Sequence, residues 1–189
     1  IKINESLDEP LHIVLEENEE CGEYLFLEVA DNVEATIIEH RTYCDCDCYP
    51  IGKPIPIAVE GIFGANSKIS YNAFDLSELY FLIHRHFEVK RDAKIDYAAG
   101  MFGENCMSET YFNIVEEGVE IESKTMMFVK DGCTQKHRIQ INHYVGHTKS
   151  YMQNHGVVDG AGIGEFENIG FIERDASLAD AQQESRIMT

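Results

Sequence analysis

The stretch that decides the fold is residues 117–189, in which one short pattern recurs five times. The copies are Gly118-Val119-Glu120-Ile121, Gly132-Cys133-Thr134-Gln135, His147-Thr148-Lys149-Ser150, Gly162-Ile163-Gly164-Glu165 and Asp175-Ala176-Ser177-Leu178. The second member of each copy stands at position 119, 133, 148, 163 or 176, so the copies follow one another at nearly equal intervals. The interval fits one strand plus one tight turn and is too short for a pair of helices.

The residues after each turn alternate between apolar and polar, as in Ile139-Gln140-Ile141. A period of two is the signature of a strand with one buried face. Strands that each need a neighbour to bury that face stack into a solenoid. The repeat therefore predicts an all-β chain folded as a β-helix or a related β-solenoid.

The same pattern extends upstream at Asn66-Ser67-Lys68-Ile69 and Asp92-Ala93-Lys94-Ile95. The anchors at positions 67, 93 and 119 are equally spaced, at close to twice the later interval. We expect one domain over residues 1–189. We expect turns near residues 31, 66, 92, 118, 132, 147, 161 and 175.

Two segments interrupt the pattern. Residues 44–64 hold three of the four prolines. Pro54 and Pro56 cannot donate to a ladder, so an irregular insertion or edge loop is expected there. The second segment, Ser77 to Arg85, reads either as a helix or as a buried strand, and its repeat context favours the strand.

The composition of the chain excludes some classes of function. The net charge is −19, from 34 acidic and 15 basic residues. Such a chain repels phosphate backbones, so no nucleic acid is expected as a partner. No apolar run approaches the ~20 residues that cross a bilayer, so no membrane is expected either. The chain begins at Ile1 without an initiator Met, which indicates a trimmed chain or a fragment.

The sharpest local signal is Cys44-Asp45-Cys46-Asp47-Cys48. On an extended backbone its three thiols share one face. Neighbouring strand positions pair poorly as disulfides, so reduced thiols in a cytoplasm are expected. Three thiolates could hold a soft metal or part of an iron–sulfur cluster, with His40 as a further ligand. The alternative is three ordinary loop cysteines, since the spacing matches no common zinc pattern.

The histidines are scattered, with His84 and His86 on one strand face and His143 and His147 on either side of a turn. His137 and His155 lie about one repeat from His143, so these rings could stack into a metal-binding ladder. Hydrogen-bonded structural histidines are the alternative. The chain shows no hydrolase elbow, P-loop or dinucleotide fingerprint, so no catalytic residue and no nucleotide site are expected.

Several stretches resemble the SufB/SufD family, the scaffold components of Suf-type iron–sulfur cluster assembly. Residues 25–39 are similar to the start of that family's core. The run Ile139 to His143 followed by Thr148-Lys149-Ser150 resembles its "H…p-n-T-x-S" turn. Gly160-Ala161, residues 166–170 and residues 176–186 resemble later segments in the same order.

The resemblance implies a right-handed parallel β-helix core that pairs with a paralogue or with itself and works with a SufC-type ABC ATPase. It implies a non-enzymatic scaffold on which an iron–sulfur cluster forms transiently. The family's helical ATPase-docking region is absent from these residues. Gln183 is followed by Glu184 where SufB-like members carry a cysteine, so the chain resembles SufD or a short relative more closely.

Two other functions remain open from the residues. One is a β-solenoid that binds metal or thiols for trafficking or storage. The other is a carbohydrate-active β-helix enzyme, which would need a row of acidic and aromatic side chains on one exposed face. The chain has no Trp and no Asp that recurs at one repeat position, so the enzyme ranks last.

Overall fold

The computed structural model describes residues 1–16, 22–42, 54–76 and 80–189, and these contain fourteen strands and no helix. In chain order the strands are β1 (Lys2–Ile3), β2 (Leu11–Glu16), β3 (Glu23–Val29), β4 (Glu34–Thr42), β5 (Ile55–Phe63), β6 (Lys68–Asp75), β7 (Phe81–Val89), β8 (Lys94–Met101), β9 (Cys106–Ile114), β10 (Glu120–Val129), β11 (Thr134–His143), β12 (Lys149–Val158), β13 (Ile163–Ile172) and β14 (Asp180–Met188).

The strands alternate between two sheets. The odd sheet has the order β1-β3-β5-β7-β9-β11-β13, and the even sheet has the order β14-β12-β10-β8-β6-β4-β2. Each strand pairs in parallel with the strand two positions along the chain, as β6 does with β8 and β8 with β10. The chain thus winds as a parallel β-solenoid with two strands in each coil, and the predicted fold class is confirmed.

The strand register shows which structural unit the sequence repeat corresponds to. Successive partners in one column of the even sheet are Lys68, Lys94, Glu120, Lys149 and Asp180. Between Lys94 and Glu120 the chain passes through one strand of each sheet, β8 and β9. One full coil therefore spans two of the short intervals, and each short interval corresponds to one strand and its turn.

The corners of the solenoid use the left-handed backbone region. Positive φ angles occur at the corner ahead of successive even strands, at Asn32, Asn66, Asp92, Gly118, His147 and Leu178. Gly132 and Gly160 do the same ahead of β11 and β13. Gly, Asn and Asp tolerate this conformation best. The predicted turns lie at these corners.

The core fills the space between the two sheets. Identical or similar side chains stack from coil to coil, as Ile69, Ile95 and Ile121 do in the even sheet. In the odd sheet Phe87 pairs with Phe112, and their ring centroids are 5.3 Å apart; the Phe63 ring stacks on Phe87 from the neighbouring position, at 5.0 Å. A parallel register places equivalent residues directly above one another, so every coil buries its inward face on the next.

The expected insertion over 44–64 is wrong for its second half, because residues 55–63 form β5. Ile55 donates its backbone N–H to Tyr80 beside β7, so the next residue, Pro56, faces the other neighbour. Pairing with β3 begins only at Ile57, and the missing N–H of Pro56 therefore interrupts no ladder bond. Residues 43–53 lie outside the described part of the chain. In the second ambiguous segment, β7 begins at Phe81, so the strand interpretation holds there.

The last described coil is the most exposed part of the solenoid. Phe171 and Ile172 of β13 are 41% and 44% exposed, and Ile187 and Met188 of β14 are 43% and 66% exposed. Within the described residues, no helix is long and apolar enough to cross a membrane.

Candidate functional site

The thiols predicted as ligands, Cys44, Cys46 and Cys48, lie outside the described residues. The fourth predicted ligand, His40, is half-buried on the outer face of β4. Its ring packs edge-on against that of His12 on β2, with centroids 6.3 Å apart. The thiolate set therefore stays a prediction, and the structure adds a second imidazole beside His40.

The sequence analysis missed His12, although a usable signal was present. The interval that separates the anchors 67, 93 and 119 also relates β2 to β4, since Leu11 pairs with Ile37 and Val14 with His40. Counting back by that interval from His40 gives Val14. His12 lies two residues before Val14, on the same face of β2. The repeat period alone would have brought the two histidines together.

Among the described residues no group of three or more His, Cys, Asp or Glu side chains is arranged to hold a metal ion. Cys133 is half-buried and Cys106 is buried. Burial raises the pKa of the Cys106 thiol far above its ordinary value, and the charge and hydrogen bond of Asp75 raise it further. Cys106 is therefore a protonated thiol and not a ready thiolate ligand.

A fully buried ion cluster lies beneath the strand that carries His40. Glu39 and Arg41 point inward from β4, and Arg85 reaches them from β7. Arg85 donates to both Glu39 oxygens, with Nε–Oε2 at 3.2 Å and Nη2–Oε1 at 2.8 Å. Arg41 and the Tyr71 hydroxyl also donate to the carboxylate. One carboxylate thus accepts from two guanidinium groups and a phenol.

The cluster fixes its own charge state. Burial would raise the pKa of Glu39, but the charges of Arg85 and Arg41, with the hydrogen bonds from Arg85 and Tyr71, outweigh it and lower the pKa to about 2. Burial, together with the Glu39 charge, raises the pKa of Tyr71. Glu39 is therefore ionised and Tyr71 is neutral throughout the ordinary pH range.

Arg41 has hydrogen-bond donors that remain unpaired. Its Nε and Nη1 are buried and have no hydrogen-bond partner, and its guanidinium carbon lies 5.9 Å from the centre of the Phe81 ring. Arg41 stands three residues before Cys44 in the chain. Its unpaired donors can bind an anionic or sulfur acceptor near the end of β4, because buried donors without partners favour any acceptor that reaches them.

Polar contacts continue through the core beyond the ion cluster. Arg85 donates to the Ser108 hydroxyl at 3.3 Å, and Thr125 contacts Nε2 of His137 at 3.2 Å. Burial, with the charge of Arg85, lowers the pKa of His137 to about 3. His137 is therefore a neutral core histidine.

The predicted "H…T-x-S" turn is assembled by the structure. Nδ1 of His143 lies 2.7 Å from the Thr148 hydroxyl, and Nε2 lies 2.8 Å from the Ser150 hydroxyl. All three side chains are buried. Both ring nitrogens are used, so His143 ties the end of β11 to the start of β12, as a structural histidine does.

The histidine ladder does not form. The partners of His143 along its column are Ile114 and Ile172. His137 stacks between Ser108 and Phe166, and His155 stacks between Met126 and Arg186. One short interval is half a coil, so it carries a residue to the other sheet: His155 lies on β12, whereas His137 and His143 lie on the same strand, β11.

An open groove of about 810 Å³ runs along the outer face of the even sheet. The first residues of successive strands line it and form a column of mixed charge: Glu34, Lys68, Lys94, Glu120, Lys149 and Asp180. Lys94 lies 3.1 Å from Glu120, and Lys149 lies 3.8 Å from the same carboxylate. Lys68 lies 3.5 Å from Glu34. These carboxylates are paired with lysines across the coils.

Comparison with known proteins gives one family and one curated relative. Residues 12–189 match the family model described as the SUF system FeS cluster assembly, SufBD core domain. The chain is 32% identical over 136 residues to the iron-sulfur cluster assembly protein SufD of Bacillus subtilis (strain 168), an alignment that covers 70% of this chain and 31% of that protein. The chain thus spans about a third of the length of the curated relative. Because the family model covers nearly the whole solenoid, from β2 to β14, the chain belongs to the SufB/SufD core-domain family.

Proposed function

We propose that this chain is the core of a non-enzymatic scaffold subunit for iron–sulfur cluster assembly in the cytoplasm. The observation that carries the proposal is the match of residues 12–189 to the SufBD core domain. The cluster is a transient cargo that the subunit holds while it is being built. A SufC-type ABC ATPase and a second solenoid, either a paralogue or another copy of this chain, are its partners.

The structure supports a platform role. Backbone ladders run the length of both sheets, and the buried columns join every coil to its neighbours. A solenoid of this kind holds groups at its corners at fixed separations. Near the end of β4, His12 and His40 lie on the outer face of the even sheet, and the unpaired donors of Arg41 lie on its inner face.

We further propose that Cys44, Cys46 and Cys48 supply thiolates to the cargo, assisted by His40. Alternate strand positions are ~6.5–7 Å apart, which is too wide for three thiolates on one zinc at ~2.3 Å. An iron–sulfur cluster suits the spacing better because its ligands bind different irons.

The test of the thiolate proposal is anaerobic reconstitution with iron and sulfide. Replacing Cys44, Cys46 and Cys48 together with serine is expected to abolish iron and sulfide retention, measured by metal content and by an absorbance scan. Cys133→Ser is the matched control and is expected to retain both. Unchanged metal content in the triple variant would identify the three as ordinary loop cysteines.

The partner proposal needs a separate experiment. The protein as its organism produces it, used as bait, is expected to retain an ABC-type ATPase from the same organism. The triple cysteine variant of that bait is expected to retain it equally, because the thiolates serve the cargo. A bait that binds iron and sulfide but no ATPase would favour a role in metal trafficking or storage.

A further inference from the structure

A second histidine pair lies on the outer face of the odd sheet, far along the chain from the cysteine segment. His84 and His86 occupy alternate positions of β7, and both face outward because Ile83, Arg85 and Phe87 face the core. Their ring centroids are 6.4 Å apart. The Tyr111 ring on β9 packs against both, at 5.2 and 6.4 Å.

A carboxylate lies beside the His84 ring. Nδ1 of His84 lies 3.5 Å from Oε2 of Glu109. Glu109 is itself held by Arg138, at 3.7 Å, and by the Tyr111 hydroxyl, at 3.4 Å. A carboxylate beside Nδ1 favours the proton on that nitrogen and leaves the Nε2 lone pair free. This is the usual second contact of a metal-bound imidazole.

The second histidine also presents a lone pair. Nε2 of His86 contacts Nδ2 of Asn113. The other end of that amide, Oδ1, accepts a hydrogen bond from Asn142 at 2.8 Å. Asn113 is therefore the donor to His86, and the Nε2 lone pair of His86 is the acceptor. A cation that reaches this nitrogen replaces one exposed amide.

The separation of the rings is close to what one shared ion requires. Two imidazoles that bind one ion at ~2.1 Å have centroids about 5 to 6 Å apart. The His84 side chain is 51% exposed, so a small side-chain rotation closes the difference. The described residues supply two imidazoles here, one fewer than the three ligands of a preformed metal site. Water completes the coordination shell of the ion.

We propose that His84 and His86 chelate one divalent transition ion of the imidazole-preferring class, nickel, copper or zinc. Glu109 is a positioning residue that orients His84. The site uses nitrogen donors on the odd sheet, so it is independent of the thiolate site proposed after β4.

The test is calorimetric titration of the chain with Ni²⁺ in the background in which Cys44, Cys46 and Cys48 are serine. We expect one equivalent to bind. His84→Gln and His86→Gln should each weaken binding by more than about tenfold, and Glu109→Gln by about tenfold with the stoichiometry unchanged. In the protein that carries only the three serine substitutions, Zn²⁺ should shift the imidazole nitrogen NMR signals of His84 and His86.

Two controls make the outcome decisive. His155→Gln removes an exposed lone histidine of the even sheet and should leave binding unchanged. His40→Gln disrupts the other histidine pair and should also leave it unchanged. Equal affinity in His84→Gln, or a loss that follows His40→Gln instead, overturns the proposal. The substituted histidines and Glu109 face outward, and thermal unfolding serves to show that each variant is folded.

Discussion

At the scale of single residues, the largest energetic consequence belongs to Glu39. Replacing it with glutamine removes the carboxylate that accepts hydrogen bonds from both buried guanidinium groups, those of Arg41 and Arg85. We expect Glu39→Gln to lower the free energy of unfolding by about 3–5 kcal/mol, the range for breaking a buried ion pair.

Glu28 supplies the matched control, since it pairs with Lys2 at 2.8 Å on the surface and is 41% exposed. Glu28→Gln should change the free energy by no more than about 1 kcal/mol. Urea denaturation of both variants measures the difference. Equal effects would show that the buried cluster contributes no more than a surface pair.

The two buried histidines make stability depend on pH. Burial lowers the pKa of His143, though the Asp180 charge opposes it, and burial lowers the pKa of His137 to about 3. Below about pH 6.5 the unfolded chain binds protons at these residues that the folded chain excludes. Stability is therefore complete above that pH and falls as the solution is acidified.

The expected slope between pH 6.5 and 4.5 is about 1.4 kcal/mol per pH unit for each histidine that stays neutral. His137→Gln should reduce the slope by one such increment, whereas exposed His155→Gln should leave it unchanged. Denaturation curves at several pH values give the slopes. A parent whose stability is flat over this window contradicts the prediction.

At the scale of the turn, two positions require glycine for different structural reasons. Gly132 has φ of +72° and open space around its missing side chain. Gly64 has an ordinary φ, but an added Cβ would lie 2.5 Å from the Ala30 carbonyl carbon and 2.6 Å from the Asp31 nitrogen of the preceding coil.

Gly132→Ala should therefore cost about 1–2 kcal/mol, the penalty for a left-handed alanine. Gly64→Ala should cost more, because the backbone of a neighbouring coil must move to admit the methyl group. Thermal unfolding of the two variants ranks them. If Gly64→Ala proves the milder change, coil stacking at that corner is looser than the structure describes.

At the scale of the whole molecule, the exposed last coil predicts association. Phe171, Ile172, Ile187 and Met188 lie on the two strands that have no further described coil beside them. Open strand edges and apolar side chains of this kind favour pairing with another solenoid. We expect the protein to form a two-core assembly, with itself or with a paralogue.

Light scattering on the protein as its organism produces it tests this, alone and mixed with its paralogue. Ile187→Glu should weaken the assembly, while Val14→Glu, on an exposed outer position of β2 at the opposite end, should not. A stable monomer at high concentration in both samples would count against a paired scaffold.

The sequence by itself determined the strand period, the corners and the fold class, because each rests on local signals. Alternation such as Ile139-Gln140-Ile141 and the turn residues Asn32, Gly118 and Gly132 act within a few positions of the chain. The resemblance to the SufB/SufD family rested on the same local stretches and kept their order, and the comparisons confirm it.

Only the tertiary structure decided which residues meet across the coils. Glu39 and Arg85 are far apart in the chain yet form a bidentate pair, and His12 reaches His40 through the β2–β4 register. Coil length also varies, since more chain separates Glu34 from its partner Lys68 than separates Lys68 from its partner Lys94. The short period also gives a strand and its turn but not which strands are neighbours, since consecutive strands lie in different sheets. For that reason a period read from the sequence could not place the histidines in ladders or reveal the buried ion cluster.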